Sequence, residues 1–194
     1  MTDKTSERLG IKKQLITKYR KKGNDIMKRI RLVLGDITRQ NTDAIVNSAH
    51  ESLAPGGGVS GAIHAAAGKE LAEECREFHG LKAGEAVITK GYNLPAKYVI
   101  HTVAPRWYEE APDREEKLRS CYIESLKLAD EYGLDTVSFP SLGTGIFKTP
   151  VETGAKIAVK AVRDFLKEND SIDYVVFVLY SDKVMKIYEE LIYQ

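Results

Sequence analysis

Three short runs of small and polar residues, each directly behind an apolar β-rich run, carry most of the chemistry this chain offers. The first is Gly35-Asp36-Ile37-Thr38. An Asp at a strand end accepts hydrogen bonds from an exocyclic amine such as that of adenine, or it caps the helix that follows. The second runs from Asn47 to Val59 and contains three consecutive glycines, Gly56, Gly57 and Gly58, ahead of a helical pattern. Glycines let backbone N–H groups approach a ligand closely, and the positive end of the next helix adds to them. Together they make an anion site suited to a diphosphate; the competing reading is a plain flexible turn. The spacing is neither that of a Walker A loop nor that of the GxGxxG fingerprint. The third run is Ser141, Leu142, Gly143, Thr144, Gly145, Ile146 and Phe147. Its small residues expose further backbone donors, while Ile146 and Phe147 are placed to close over sugar or phosphate. Tyr180 ends the last apolar run, where an aromatic ring either stacks on a base or packs in the core.

These segments need elements to hold them. Apolar β-rich runs predict strands at Ile30–Leu34, Ala44–Asn47, Ala86–Lys90, Tyr98–Val103, Thr136–Phe139 and Tyr174–Tyr180. Helical spacing predicts helices at Val59–Ala67, Glu70–Phe78, Asp113–Tyr132, Val151–Leu166 and Asp182–Ile192. Strands alternating with helices imply a three-layer α/β/α sandwich. In such sheets ligands sit at the carboxyl ends of strands, which is where all three runs fall.

The 194 residues suit one domain with an appendage, and 43% hydrophobic with 29% charged residues is a globular composition. A net charge of +1 hides an asymmetry. Residues 1–31 hold eleven Lys or Arg against three acids, a charge of +8, and the remainder carries −7. Residues 1–28 are therefore read as a basic N-terminal extension and 29–194 as the domain. A basic arm can hold nucleic acid or another polyanion; it can equally be a solvated leader. Cys75 and Cys121 lack CxxC spacing and any His-Cys cluster in sequence, which argues against a metal and for a reducing, cytoplasmic setting. The longest apolar run, Tyr174–Tyr180, is too short to cross a bilayer, and no secretory signal is visible, so no membrane partner is expected.

From about residue 29 to 193 the chain resembles the macro domain family. The matching stretches are Gly35-Asp36-Ile37-Thr38, Asp43-Ala44-Ile45-Val46-Asn47, Gly56-Gly57-Gly58-Val59 with Ala62-Ile63-His64, Leu94 to Val103, and Phe139 to Phe147. The resemblance implies a six- or seven-stranded mixed sheet between helix layers, with a cleft for ADP-ribose and no cofactor beyond that ligand. It assigns Asp36, with Ile37 beside it, to the adenine end, and Gly56, Gly57, Gly58 and Val59 to the pyrophosphate and distal ribose. Ser141 to Phe147 would wrap the phosphates, Tyr180 would stack on adenine, and Asn47 would lie beside the distal ribose. The implied partners are ADP-ribose and ADP-ribosylated protein.

Family members either only bind ADP-ribose or hydrolyse its derivatives: O-acetyl esters, the 1″-phosphate, or mono-ADP-ribosyl protein. The similar hydrolase branch reads N-A-A-N and then G-G-G-V-D, and its second Asn and its Asp are implicated in handling water. Those positions here are His50 and Ser60. Serine supplies no carboxylate, so Ser60 is excluded as a general base. His50 either takes over as a base or packs at the cleft rim, while His64 and His101 are read as structural. Binding is thus the leading expectation and hydrolysis the alternative.

Overall fold

A computed structural model describes residues Ile26–Tyr193 of the chain. The basic segment 1–28 lies outside the described residues except for its last three, so its expected polyanion partner has no structural account. Six strands alternate with five α-helices: β1 (Ile30–Leu34), β2 (Ala44–Ser48), α1 (Gly58–Ala67), α2 (Lys69–Cys75), β3 (Ala86–Lys90), β4 (Tyr98–Thr102), α3 (Arg114–Glu131), β5 (Thr136–Phe139), α4 (Val151–Glu168), β6 (Tyr174–Leu179) and α5 (Asp182–Tyr193). The sheet order is β1-β6-β5-β2-β4-β3. All neighbours run parallel except β3, which is antiparallel to β4.

Because the parallel strands are covered on both faces, they read as continuous apolar runs. Alternate residues feed two separate cores. On one face Val46, Ile100, Phe139 and Phe177 meet Leu118, Tyr122 and Leu126 of α3, Val162 of α4 and Tyr188 of α5. On the other, Ile45, Val99 and Val176 meet Ile63 and Ala67 of α1 and Leu71 and Cys75 of α2. This is the expected three-layer sandwich, with six strands.

Local chemistry sets the ends of the elements. Gly68 adopts φ +96°, which breaks what would otherwise be one helix into α1 and α2. Pro140 follows β5 directly, where its missing N–H cannot extend the ladder. The helix expected over Glu70–Phe78 ends at Cys75; Phe78 lies beyond it, half-buried against the second core. Among the described residues no helix is long and apolar enough to cross a membrane.

Candidate functional site

Strands β1, β6, β5 and β2 are consecutive in the sheet and parallel, so their carboxyl ends share one edge. The loops leaving these four ends enclose a cleft of about 560 Å³. Strands in a sheet lie about 4.8 Å apart, so the loops after β1 and β2 are separated by roughly 14 Å. Asp36 and Ile37 come from β1, Tyr180 from β6, Ser141, Gly143 and Thr144–Phe147 from β5, and His50 and Gly56–Ser60 from β2.

At the β1 end, Asp36 Oδ1 accepts from Thr38 N–H at 2.9 Å and Thr38 Oγ1 at 2.7 Å. The Thr38 hydroxyl, then the Thr38 N–H, hold its carboxyl below the usual Asp range, with a smaller pull from Arg39. Asp36 is thus a cap and a cleft carboxylate at once: Oδ1 holds the turn, and Oδ2 makes only a long, exposed ion pair with Arg39 at 3.8 Å.

The glycine turn is the most informative part. Gly57 caps α1 without a side chain, and the first turn of that ten-residue helix holds no acidic residue. Its leading N–H groups therefore open onto the cleft with the dipole behind them. A Cβ built on Gly56, Gly57 or Gly145 would meet nothing within 4 Å. Nothing among the described residues crowds those places, and all three glycines line the cleft. Gly143 differs: at φ +74° its Cβ would also press on Thr149 Oγ1 at 2.6 Å, so it shapes the loop.

The Ser141–Phe147 loop is tied to the core. Leu142 N–H donates to the buried Tyr122 hydroxyl at 3.3 Å, and the Tyr188 hydroxyl donates to Ser141 Oγ at 3.4 Å. Trp107 N–H donates to Phe147 carbonyl at 2.7 Å. Ile146 and Tyr180 are 72% and 67% exposed and both line the cleft, unusual exposure for large apolar groups. Tyr180 is therefore not a core residue.

All the residues expected at the site line this cleft except Asn47 and Leu142. Both are wholly buried. Leu142 turns into the first core while its neighbours face the cleft. Asn47 points away because it shares the sheet face and register of His101, under α1 and α2. Its Nδ2 donates to His101 Nδ1 at 3.1 Å, and Thr89 Oγ1 lies 2.9 Å from His101 Nε2.

The fold also gathers a cluster that linear spacing conceals. The ligating atoms of His64, Cys75 and His101 lie within 4.8 Å of one another, all buried. These residues do not fit a metal. His101 Nδ1 accepts from Asn47, which puts the ring proton on Nε2, facing Thr89, and leaves no lone pair for an ion. Burial, then the neighbouring His64, lowers the His101 pKa to about 3, and burial, then Glu74, raises the Cys75 thiol to about 11. The cluster is neutral interior, brought together by packing between α1, α2 and β4. Among the described residues, the ionisable side chains lining the cleft are Asp36, His50 and Tyr180.

A glycine turn opening a helix beside a strand-end carboxylate, at the carboxyl edge of a parallel sheet, defines an α/β domain built around a nucleotide-type cleft. The chain belongs to the macro domain family, whose model matches residues 46–158. A macro domain-containing protein of Chlorobaculum tepidum is 50% identical over 161 residues, 83% of this chain and 94% of the relative. The ADP-ribose glycohydrolase MACROD2 of Xenopus laevis is 46% identical over 168 residues, 86% of this chain and 40% of that protein. The Trypanosoma brucei macrodomain in complex with ADP-ribose superimposes with a TM-score of 0.82 at 38% identity, covering 89% of this chain and 72% of that one.

Proposed function

We propose that this chain binds ADP-ribose or a derivative of it, free or linked to protein, in the cleft over β1, β6, β5 and β2. The observation that carries the reading is the glycine turn at the uncapped start of α1, where Cβ positions at Gly56 and Gly57 face empty space. A diphosphate fills that space and meets the free N–H groups. Asp36 then accepts the adenine amine and exposed Tyr180 supplies a stacking face, while the Ser141–Phe147 loop closes over the phosphates. The Trypanosoma brucei neighbour with ADP-ribose bound supports the same ligand.

Hydrolysis of such a derivative (an O-acetyl ester, the 1″-phosphate or a protein linkage) is the second reading, supported by the glycohydrolase name of the Xenopus laevis relative. Against it stands the cleft's composition: among the described residues no carboxylate lines it near the α1 end to activate water. Calorimetric titration with ADP-ribose tests the first reading. Incubating the same sample with O-acetyl-ADP-ribose and with ADP-ribosylated protein tests the second. Binding without turnover makes this a reader, turnover makes it a hydrolase, and absence of binding removes both.

A further inference from the structure

Strand β3 ends the sheet on the side away from β1, and only part of its outer edge is blocked. Antiparallel ladders turn alternate residues towards the partner strand. Gly91 N–H donates to the Lys97 carbonyl at 2.7 Å, so in the observed register Thr89 and Val87 also face β4. Ala86, Ile88 and Lys90 then turn their N–H and C=O groups outward. Lys90 N–H is taken by Glu74 Oε2 at 3.0 Å, which leaves Ala86 and Ile88 as the unpaired stretch of this edge among the described residues. Beside that stretch lies a groove of about 590 Å³ with two unlike walls. One is apolar, made by Leu81, Ala83 and Val87. The other is acidic: α3 and its cap contribute Asp113, Glu116 and Glu124, and Glu85 adds a fourth carboxylate. Among the described residues Lys117 is the one base lining it, and Asp113 binds that lysine at 3.0 Å. Glu116 and Glu124 pair with Arg119 and Lys127 only along the exposed helix surface, where water and salt keep such contacts weak.

We infer that this groove holds residues 4–12 of the chain's own basic N-terminal segment, laid extended along the open edge of β3. In an extended chain alternate side chains share a face. Lys4, Arg8 and Lys12 then fall on one side, and Thr5, Leu9 and Ile11, with Glu7, on the other. The first set meets the carboxylates of α3 and the second the apolar wall, while the backbone pairs with Ala86 and Ile88 as in strand addition. The reach suffices. Strands β1 and β3 are the outer two of six, five spacings of about 4.8 Å apart, or roughly 24 Å. Residues 13–25 span about 43 Å when extended. A tether of that length also keeps the segment at high local concentration. Charge selects this occupant. A second copy pairing through β3 would set the acidic walls of two α3 helices against each other, and a polyanion would be repelled. The ligand cleft over β1, β6, β5 and β2 plays no part in this contact.

Hydrogen exchange at the Ala86 and Ile88 amides of the full chain reads the contact. Wild type should exchange about fivefold to tenfold more slowly than a variant carrying Lys4→Glu, Arg8→Glu and Lys12→Glu, the protection of about one hydrogen bond. Adding Glu116→Lys and Glu124→Lys to that variant should restore the protection, since the charges are then exchanged. A photo-crosslinking side chain in place of Leu9 should link to residues 81–87 or to α3 within the same molecule. Equal exchange in wild type and the triple variant overturns the inference, as does failure of the charge swap to restore protection or a crosslink mapped to any other surface. Protection that rises with protein concentration would give the groove to a second copy. Protection that appears only on adding oligolysine would give it to a separate basic partner. Either result overturns the intramolecular contact.

Discussion

At the scale of single residues, the site depends on groups with two duties. Asp36 accepts from Thr38 through Oδ1 and lines the cleft, its Oδ2 making only an exposed ion pair with Arg39 at 3.8 Å. Replacing it with alanine should weaken ADP-ribose binding about tenfold to a hundredfold, the range of a charge-assisted hydrogen bond. The same change should cost only about 1 kcal/mol of stability through the lost cap. Calorimetry alongside thermal melting separates the two effects; unchanged affinity in a folded variant would show that Asp36 does not meet the adenine amine.

At the scale of elements, α1 and the turn before it act as one unit. Gly57 has φ −92° and ψ −178°, extended backbone that a β-branched residue adopts freely. Gly57→Val should therefore stay folded, losing only about 1 kcal/mol because valine is a poorer N-cap than glycine. Its added methyls would occupy the phosphate space and cut ADP-ribose affinity by about tenfold or more. Normal binding by Gly57→Val would mean that the turn does not touch ligand. Gly61, one turn into α1, behaves oppositely. A Cβ there would overlap the Gly56 carbonyl oxygen, so helix and turn pack backbone to side-chain position. Gly61→Ala should lose about 1–3 kcal/mol despite alanine's better helix propensity, because overpacking outweighs it. Denaturant unfolding measures that loss, and a more stable Gly61→Ala would rule out the close contact.

At the scale of the whole molecule, the neutral interior beneath α1 and α2 ties stability to pH. Folded His101 titrates near 3, while an unfolded histidine titrates near 6.5. Below about pH 6.5 the unfolded chain takes up a proton that the fold refuses. Stability is fully present above that pH and falls by about 1.4 kcal/mol per unit as pH drops towards 3. Burial shifts His64 in the same direction. His101→Gln should flatten the acid limb of a Tm–pH profile between pH 6 and 4. Parallel profiles for the two proteins would show that His101 is not the group responsible.

The chain by itself determined its elements and most of its cleft. Ile30–Leu34, Ala86–Lys90 and Thr136–Phe139 were legible to the residue, because β-rich runs there stop at glycine or proline. The glycine turn, Asp36 and the Ser141–Phe147 loop were legible too, since each lies in the connection leaving a strand's carboxyl end, and carboxyl ends of parallel strands converge. Helix ends were less so: nothing local distinguishes Cys75 from Phe78 as a stopping point. What only the tertiary structure decided depends on partners far away in sequence. Strand order placed β1, β6, β5 and β2 side by side, and register turned Asn47 towards His101 and away from the cleft. The gathering of His64, Cys75 and His101, and the anchoring of the Ser141–Phe147 loop by Tyr122 and Tyr188, follow from the same packing. Spacing along a chain records which face a residue takes within its own element; which residues share that face is settled by the pairing of elements in space.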